Sequence, residues 1–527
     1  MVVVWVCFAA RLLFYAAMLP LWEGYDEWAH FAVVRHMAGG ELLVSRDEAA
    51  PRDVEDSLQL VPVPWEMRAL PPPSYTQDGY WQLNAAERER REQAMRSMAA
   101  AGEGTGRFPA YEGLQPPLYY WTMTPVLWIS ERLGAGLVGQ VLVLRFFSSL
   151  VASLAIPLVW MLGRQVWGDG RLALGCAAVV SVMPGLALDV ARVSNDCLAV
   201  VLFTALTWLL VKLVREGLNL RLVVWLGVVL GLGLLTKAYF LAALPAVGGI
   251  LAYDWWRSRL FRGAMVAGSI AAVVSGWWYV RNLRTTGTLS GLSESVMVRG
   301  IGTGEMVRQA AGIHWVKAVD AILLSHLYFG GWSSLTVRSW MYHLFYAVIL
   351  AAGVGLLRLL KLPAIVTLAV IYASFWLGQL YNVAILYISK GLMGSMGWYM
   401  YAVVGAEVAL CVAGLARAVP KRAGRWVAAG GAAMFALFDL YTMHGVAIPY
   451  YTGMIRHRAN GSLEALHWSG WRSVGIAGAV ERLTAFKSPM APAAVLLVLW
   501  LLYLLGTAGA VACAFARECD SAAKSQG

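Results

Sequence analysis

The feature that most constrains this chain is a succession of long apolar segments divided by short connections, every second one of which is basic. The segments are Val2–Leu21, Leu137–Leu162, Leu172–Val190, Cys197–Val211, Leu222–Leu235, Tyr239–Tyr253, Gly263–Val280, Met341–Leu357, Ala364–Ala384, Trp398–Leu415, Trp426–Met443 and Ala491–Phe515. About 20 apolar residues are needed for a helix to cross the hydrocarbon core, and a backbone without water must satisfy its own hydrogen bonds, which favours helices. The spacing therefore predicts an all-α, polytopic integral membrane protein of about 12 transmembrane helices with long extracytoplasmic loops. Segments Leu222–Leu235 and Tyr239–Tyr253 fall short of a straight span, which predicts broken or tilted helices there. Composition agrees: 59% of residues are hydrophobic and only 14% charged, against about 25% charged in a soluble chain. The 24 Trp and 22 Tyr suit the aromatic belts at the two membrane surfaces.

Orientation follows from the basic connections: Arg164 and Arg171; Lys212, Arg215 and Arg221; Arg257, Arg259 and Arg262; Arg358 and Lys361; Arg417, Lys421, Arg422 and Arg425. Lys and Arg concentrate on the cytoplasmic side, so these connections belong there, and the formal charge of +11 needs no nucleic-acid partner. The expected division is a first transmembrane helix (1–22), a large extracytoplasmic loop with juxtamembrane helices (23–136), a central transmembrane bundle (137–280) and a second extracytoplasmic loop (281–340). Transmembrane helices (341–443), a third extracytoplasmic loop (444–490), and a last helix with a cytoplasmic tail (491–527) follow.

Of the 31 acidic residues, 16 lie between Glu23 and Pro116, so this loop is solvated and structured. Within it, Asn84–Ala101 reads as a charged surface helix. Gln115–Leu133 is apolar enough to span, but a span there would put Arg164 and Arg171 outside; its prolines and aromatics place it at the interface instead. Cys7, Cys176, Cys197, Cys411 and Cys513 fall in spans and Cys519 in the tail, with no disulfide framework and no CxxC pattern. No small-residue cleavage site follows the first apolar segment, so it reads as an anchor. Arg11 in its middle must face the bundle, snorkel, or mark a misassigned start, because an unpaired cation at that depth costs ~3 kcal/mol.

Chemistry is concentrated where the first segment ends, in Glu23-Gly24-Tyr25-Asp26-Glu27-Trp28-Ala29-His30-Phe31. Neighbouring side chains on a helix diverge by about 100°, so Asp26 and Glu27 cannot both aim at one atom. One is left to act as a base while the other orients, caps or meets solvent. Asp26 and His30, four apart, would share a face, suiting mutual orientation or a metal. Acids also mark helix ends at the water boundary without any chemistry, so this turn alone decides nothing.

Further landmarks follow in order: Gln115-Pro116-Pro117-Leu118-Tyr119-Tyr120, Arg145-Phe146-x-Ser148, Ser194-Asn195-Asp196, Thr236-Lys237 and Gly276-Trp277-Trp278-Tyr279-Val280-Arg281-Asn282. With the Asp26-Glu27-x-x-His30-Phe31 turn, this series resembles the GT-C superfamily of membrane glycosyltransferases. The resemblance is closest to bacterial relatives of the dolichyl-phosphate-mannose protein mannosyltransferases, over Met1 to Asn282. It implies a hexosyl or pentosyl transferase in the cytoplasmic (inner) membrane, working on the extracytoplasmic side. The donor would be a polyprenyl-phosphate-linked sugar and the acceptor a hydroxyl on a glycan, lipid or protein. The first-loop acid is the implied catalytic group: Asp26, with Glu27 as the fallback. One base and a phosphate leaving group imply inversion.

A departing phosphate needs fixed cations, and Arg145, Lys237 and Arg281 are the candidates, although snorkelling at the interface also explains Lys237 and Arg281. His30, Glu112, Gln115, Asn195, Asp196 and Tyr399 are candidates for binding or orienting substrate. For Asp189, Arg192 and Asp196, solvation of a helix end is the simpler account. No HxxxH or HxxE metal spacing occurs; a divalent cation, Mg or Mn, held by Asp26 and a distant carboxylate stays open, and no metal is assigned. An Arg-Tyr pair common in the family is Trp398-Tyr399 here, leaving Lys390 as a substitute cation. The chain carries no soluble domain of the oligosaccharyltransferase kind, so Asn460-Gly461-Ser462 reads as incidental. Two other classes compete: a transporter or flippase of a lipid-linked substrate, against which no internal repeat is visible, and an assembly protein that keeps the GT-C fold without catalysis.

Overall fold

The computed structural model describes residues 1–45, 47–70, 72–98, 104–258, 262–487 and 490–524. Among the described residues, eight helices are long and apolar enough to cross a membrane: Leu137–Trp167, Asp196–Glu216, Gly263–Thr286, Ser339–Leu357, Pro363–Lys390, Gly397–Ala418, Val427–Tyr451 and Ala493–Ala516. Gly170–Ser181 and Pro184–Val190 reach that length and apolarity only together, as a pair bent by 65°, and Val2–Met18, Leu220–Leu234 and Ala238–Tyr253 are shorter apolar helices. The protein is thus an all-α, polytopic membrane protein, and each of the twelve apolar segments is helical. The two segments expected to be irregular are the short ones: Leu220–Leu234 stops before Thr236-Lys237, and its successor begins as the 3-10 turn Ala238–Ala243. That break carries Lys237 to the end of the bundle.

Arg11 faces the bundle. It is fully buried on the first helix, paired with Asp439 at 2.7 Å and bonded to Thr507 at 3.0 Å. Asp439 also accepts the hydroxyls of Tyr15 and Tyr503, so both charges are compensated, the condition for a buried ion pair to persist.

The C-terminal end of the same helix is held by two more cations. Its last carbonyls have no intrahelical donor and carry the negative end of the helix dipole. Lys487 donates to the carbonyls of Ala17, Met18 and Leu19 at 2.7, 2.9 and 3.2 Å. Arg145 donates to those of Ala16, Leu19 and Pro20 at 3.1, 2.7 and 2.7 Å. The turn that follows the helix is therefore fixed from beneath.

The first loop is ordered around two small sheets, Ala49–Pro51 antiparallel to Thr105–Pro109 and Pro62–Val63 parallel to Tyr75–Thr76. The charged helix runs over Ala85–Ser97, with the Asn84 side chain capping the Glu87 N–H at 2.8 Å. It is not wholly superficial: Arg91 is buried and donates to Gln59 and Pro73 carbonyls, pinning the helix to the loop. Residues 99–101 of that expected helix, Arg259 and the Cys519 side chain lie outside what the structure describes. Leu118–Arg132 is a 15-residue helix packed beside Glu27–Ala38, with Trp121 and Trp128 donating to the carbonyls of Leu42 and Ala38. Cys7, Cys176, Cys197, Cys411 and Cys513 are free thiols.

Candidate functional site

The turn between Val2–Met18 and Glu27–Ala38 is unusually shaped, with positive φ at Trp22 (64°) and Asp26 (56°). Such a conformation is uncommon outside glycine, though Asp tolerates it. It is held on two sides. A Cβ at Gly24 would stand 2.6 Å from the Arg192 side chain, so only glycine lets that arginine lie across the turn. Arg192 there donates to the Tyr25 carbonyl and stacks over the Tyr25 ring at 4.7 Å. On the other side buried Glu23 accepts the Ser333 N–H and hydroxyl, both at 2.9 Å, tying the second long loop to the turn. Burial raises the Glu23 pKa to about 8 despite those bonds.

The turn sends its two neighbouring acids in different directions. Glu27 is fully buried and takes the Arg145 guanidinium through Nε at 2.7 Å and Nη2 at 2.5 Å, with the Val193 N–H at 3.1 Å as a third bond. Asp26 is half-buried and accepts the Tyr111 hydroxyl at 2.6 Å. Arg192, Lys237 and the Trp332 indole also face it. Burial raises the Asp26 pKa, and Tyr111, Arg192 and Lys237 oppose that rise.

Beside Asp26 stands an ion network on the start of Asp196–Glu216. Asp196 accepts Lys237 Nζ at 2.5 Å, Arg192 Nη2 at 3.1 Å and the Ser194 hydroxyl at 3.0 Å, while Asp189 holds Arg192 Nη2 at 2.6 Å. Lys237 lies over the rings of Tyr239 and Tyr399 at 5.2 and 5.3 Å. An ammonium has three donors, and Asp196 takes one of those of Lys237. Asn195 donates to the Thr236 carbonyl at 3.3 Å, and its Oδ1 has no partner.

The third wall comes from Tyr111–Leu114 and the start of Leu118–Arg132. His30 Nδ1 shares a hydrogen bond with the Tyr120 hydroxyl at 2.9 Å and lies 3.6 Å from Glu112 Oε2, which has no hydrogen-bond partner among the described residues. Burial, with Asp26 adding to it, raises the Glu112 pKa to about 8. Burial and the Lys237 and Arg192 charges push His30 well below its ordinary range. Burial thus favours the uncharged forms of both Glu112 and His30. Gln115 sits next to this group with an unpartnered buried Oε1.

Of the expected site residues, the structure gathers Asp26, His30, Glu112, Lys237, Asp196, Asn195, Gln115 and Tyr399 around one end of the bundle, with three corrections. Arg145 does not converge with Lys237: its Nε, Nη1 and Nη2 are taken up by Glu27 and three carbonyls. Arg281 lies over Trp278 of its own helix at 5.0 Å and makes no ion pair among the described residues. Asp26 and His30 do not orient one another, because the left-handed backbone at Asp26 sends their side chains to Tyr111 and Tyr120 respectively. Lys390 is paired with Glu294 at 2.6 Å, and Trp398 is stacked flat on Tyr25 with ring centroids 3.6 Å apart.

Sequence reasoning missed Arg192, which is buried rather than solvated, as are Asp189 and Asp196. The signal was present: Asp189, Arg192 and Asp196 are spaced three and four apart, as helical ion pairs are. Tyr111, Tyr239 and Trp332 carried no such mark. Among the described residues, His36, Glu41 and Glu48 form a group of three whose ligand atoms lie within 4.8 Å of one another, at the far end of Glu27–Ala38 from Asp26.

These features define a polytopic membrane protein with a buried acid–base cluster where its first helix leaves the bundle. The family described as "Predicted membrane protein (DUF2142)" matches residues 11–406, and the chain belongs to it. Over 163 residues it is 30% identical to the undecaprenyl phosphate-alpha-4-amino-4-deoxy-L-arabinose arabinosyl transferase of Pseudomonas savastanoi pv. phaseolicola, covering 29% of this chain and 28% of that enzyme. Among solved structures it is similar to ArnT from Cupriavidus metallidurans bound to undecaprenyl phosphate (15% identity, TM-score 0.48, 98% of this chain and 77% of that one). It is also similar to the oligosaccharyltransferase AglB from Archaeoglobus fulgidus, in complex with an inhibitory peptide and a dolichol-phosphate (13% identity, TM-score 0.37, 96% and 55%).

Proposed function

We propose that the protein transfers a sugar from a polyprenyl-phosphate donor to an acceptor hydroxyl at the extracytoplasmic face of the cytoplasmic membrane, with inversion and with Asp26 as the base. The observation that carries this reading is the division of labour between the adjacent acids. Glu27 is consumed by Arg145, whereas Asp26 is half-open and stands beside a lysine with donors to spare. The acceptor oxygen forms its bond to the anomeric carbon as the bond from that carbon to the phosphate oxygen breaks. The acceptor proton passes to Asp26 Oδ, and the departing phosphate charge is met by Lys237, with Arg192 behind it. A raised Asp26 pKa makes a stronger base than an ordinary carboxylate. Of the other carboxyls close by, burial raises the Glu112 pKa to about 8, and Asp196 is taken up by Lys237, Arg192 and the Ser194 hydroxyl. A protonated carboxyl is no nucleophile, which disfavours the double displacement of a retaining enzyme.

Asp26→Asn keeps an oxygen to accept the Tyr111 hydroxyl and removes the base. Transfer by the purified protein from a polyprenyl-phosphate sugar should fall at least about a hundredfold, with donor binding retained. Undiminished transfer would remove Asp26 from the chemistry, and a product of retained configuration would overturn the single displacement. Donor-lipid movement across vesicles without any glycosylated product would assign the protein to transport instead.

A further inference from the structure

At the other end of the bundle lies a cleft of about 330 Å³, at the small end of the ~300–1,000 Å³ range of ligand pockets. Trp167, Leu362, Ile365 and Val412 help form its apolar wall, and Arg215 and Arg417 are its charged residues. Its place relative to the Asp26 site is fixed by one helix. Asp196–Glu216 starts at the ion network and ends at Arg215, and its 21 residues rise about 30 Å, the thickness of the hydrocarbon core. Pro363–Lys390 begins at the cleft, and Gly397–Ala418 starts at Tyr399 and ends there, repeating the same separation. The cleft therefore opens at the opposite membrane surface.

The charge around the cleft is one-sided. Residues 163–172, 212–221, 358–362 and 417–426 contribute eleven Lys and Arg against two acids, Asp169 and Glu216. Neither acid neutralises the cleft arginines. Asp169 caps the Arg171 N–H at 2.8 Å, while Glu216 accepts the Gln165 amide at 3.0 Å and lies 3.7 Å from Lys212. Arg215 donates from Nη1 to the Val166 carbonyl at 3.1 Å, which fixes its guanidinium beside the opening. Arg417 is exposed and makes no hydrogen bond or ion pair among the described residues. An apolar interior with two guanidinium groups, one of them unpartnered, complements a molecule with an apolar tail and an anionic phosphate head. Basic pockets between helices on the cytoplasmic side are where such head groups bind, and guanidinium pairs well with phosphate.

We propose that this cleft is a specific site for an anionic phospholipid of the leaflet opposite the Asp26 site, with Arg215 and Arg417 on the head-group phosphate and an acyl chain in the apolar interior. The lipid does not take part in the transfer proposed above; it is a separate ligand, and its binding is measurable whether or not that transfer occurs.

The test is native mass spectrometry of the full-length protein in detergent, titrated with phosphatidylglycerol, cardiolipin or phosphatidylethanolamine. Wild type should hold an anionic lipid at least tenfold more tightly than the zwitterionic one. Arg215→Gln/Arg417→Gln should lose that preference, while Arg422→Gln/Arg425→Gln, which removes the same charge from the same membrane face outside the cleft, should keep it. Equal loss in both double variants would reduce the effect to diffuse charge and overturn the site. So would equal affinity of the wild type for both head-group classes, or displacement of the lipid by a polyprenyl phosphate at matching concentration, which would give the cleft to the donor lipid.

Discussion

Replacing Glu27 with Gln should cripple the protein through stability, where replacing Asp26 one residue earlier should do so through chemistry. Arg145 makes five hydrogen bonds in a fully buried setting, two to the Glu27 carboxylate and three to carbonyls at the end of the first helix. The carbonyls are satisfied as dipoles, but among the described residues the charge that cancels the guanidinium within hydrogen-bond reach is Glu27. Glu27→Gln keeps an oxygen for the Val193 N–H and leaves the cation uncompensated, which costs about 3–5 kcal/mol for a buried pair. Adding Arg145→Met removes the stranded charge, so the double variant should be more stable than Glu27→Gln alone, with a coupling of at least ~0.5 kcal/mol. Asp26→Asn should unfold within about 1 kcal/mol of wild type, because an amide oxygen can still accept the Tyr111 hydroxyl. Equilibrium unfolding in mixed micelles, followed by tryptophan fluorescence, gives the free energies of wild type, Glu27→Gln, Arg145→Met, their double variant and Asp26→Asn. If Glu27→Gln unfolds like wild type yet abolishes transfer, Glu27 is not a strut, and the assignment of the base to its neighbour fails.

Charge reversal at Lys237 should weaken binding of a polyprenyl-phosphate donor at least about tenfold, whereas reversal at Arg281, which lies on Trp278 and makes no ion pair among the described residues, should leave it within twofold; a filter-binding titration separates the two. Glu23 and Glu112 both have pKa values raised to about 8 in the fold from an ordinary 4.5. Folding therefore favours their protonated forms: the stability they contribute is complete below about pH 4.5 and is lost as the pH rises through about 8. Thermal midpoints should accordingly fall between pH 6 and pH 9, less steeply in Glu23→Gln and Glu112→Gln. Cysteines placed at Ala86, Gly302 and Gly461 should react with an impermeant reagent from outside and those at Gly217 and Gly424 should not; the opposite pattern would invert the orientation inferred from the basic connections.

The sequence revealed the bundle well because hydropathy is local: each apolar segment shows its character without reference to its neighbours, and the twelve expected segments are all helical. The choice between Asp26 and Glu27 was likewise half-visible, since the divergence of neighbouring side chains forbids two acids on one atom. Which acid is left free of Arg145 was not visible, because that depends on a residue 118 positions away. An arginine inside an apolar segment signals that something must cancel its charge, but not whether the partner is a ligand or the protein's own acid. For Arg11 the answer was Asp439 and for Arg145 it was Glu27, and only tertiary contact could say so.

Arg192 shows the converse. On the sequence it sits between two acids at a helix boundary and looks like surface charge; in the fold it is buried across Gly24, joining the turn that presents Asp26 to the network that holds Lys237. Its guanidinium is shared among Asp189, Asp196 and the Tyr25 carbonyl, so the positions of the proposed base and of the proposed phosphate-facing cation are set by one side chain. The glycine beside Asp26 therefore belongs to the site as firmly as the acid does. It is the space a side chain would fill that lets an arginine from the Pro184–Val190 end of the bent pair reach the first turn.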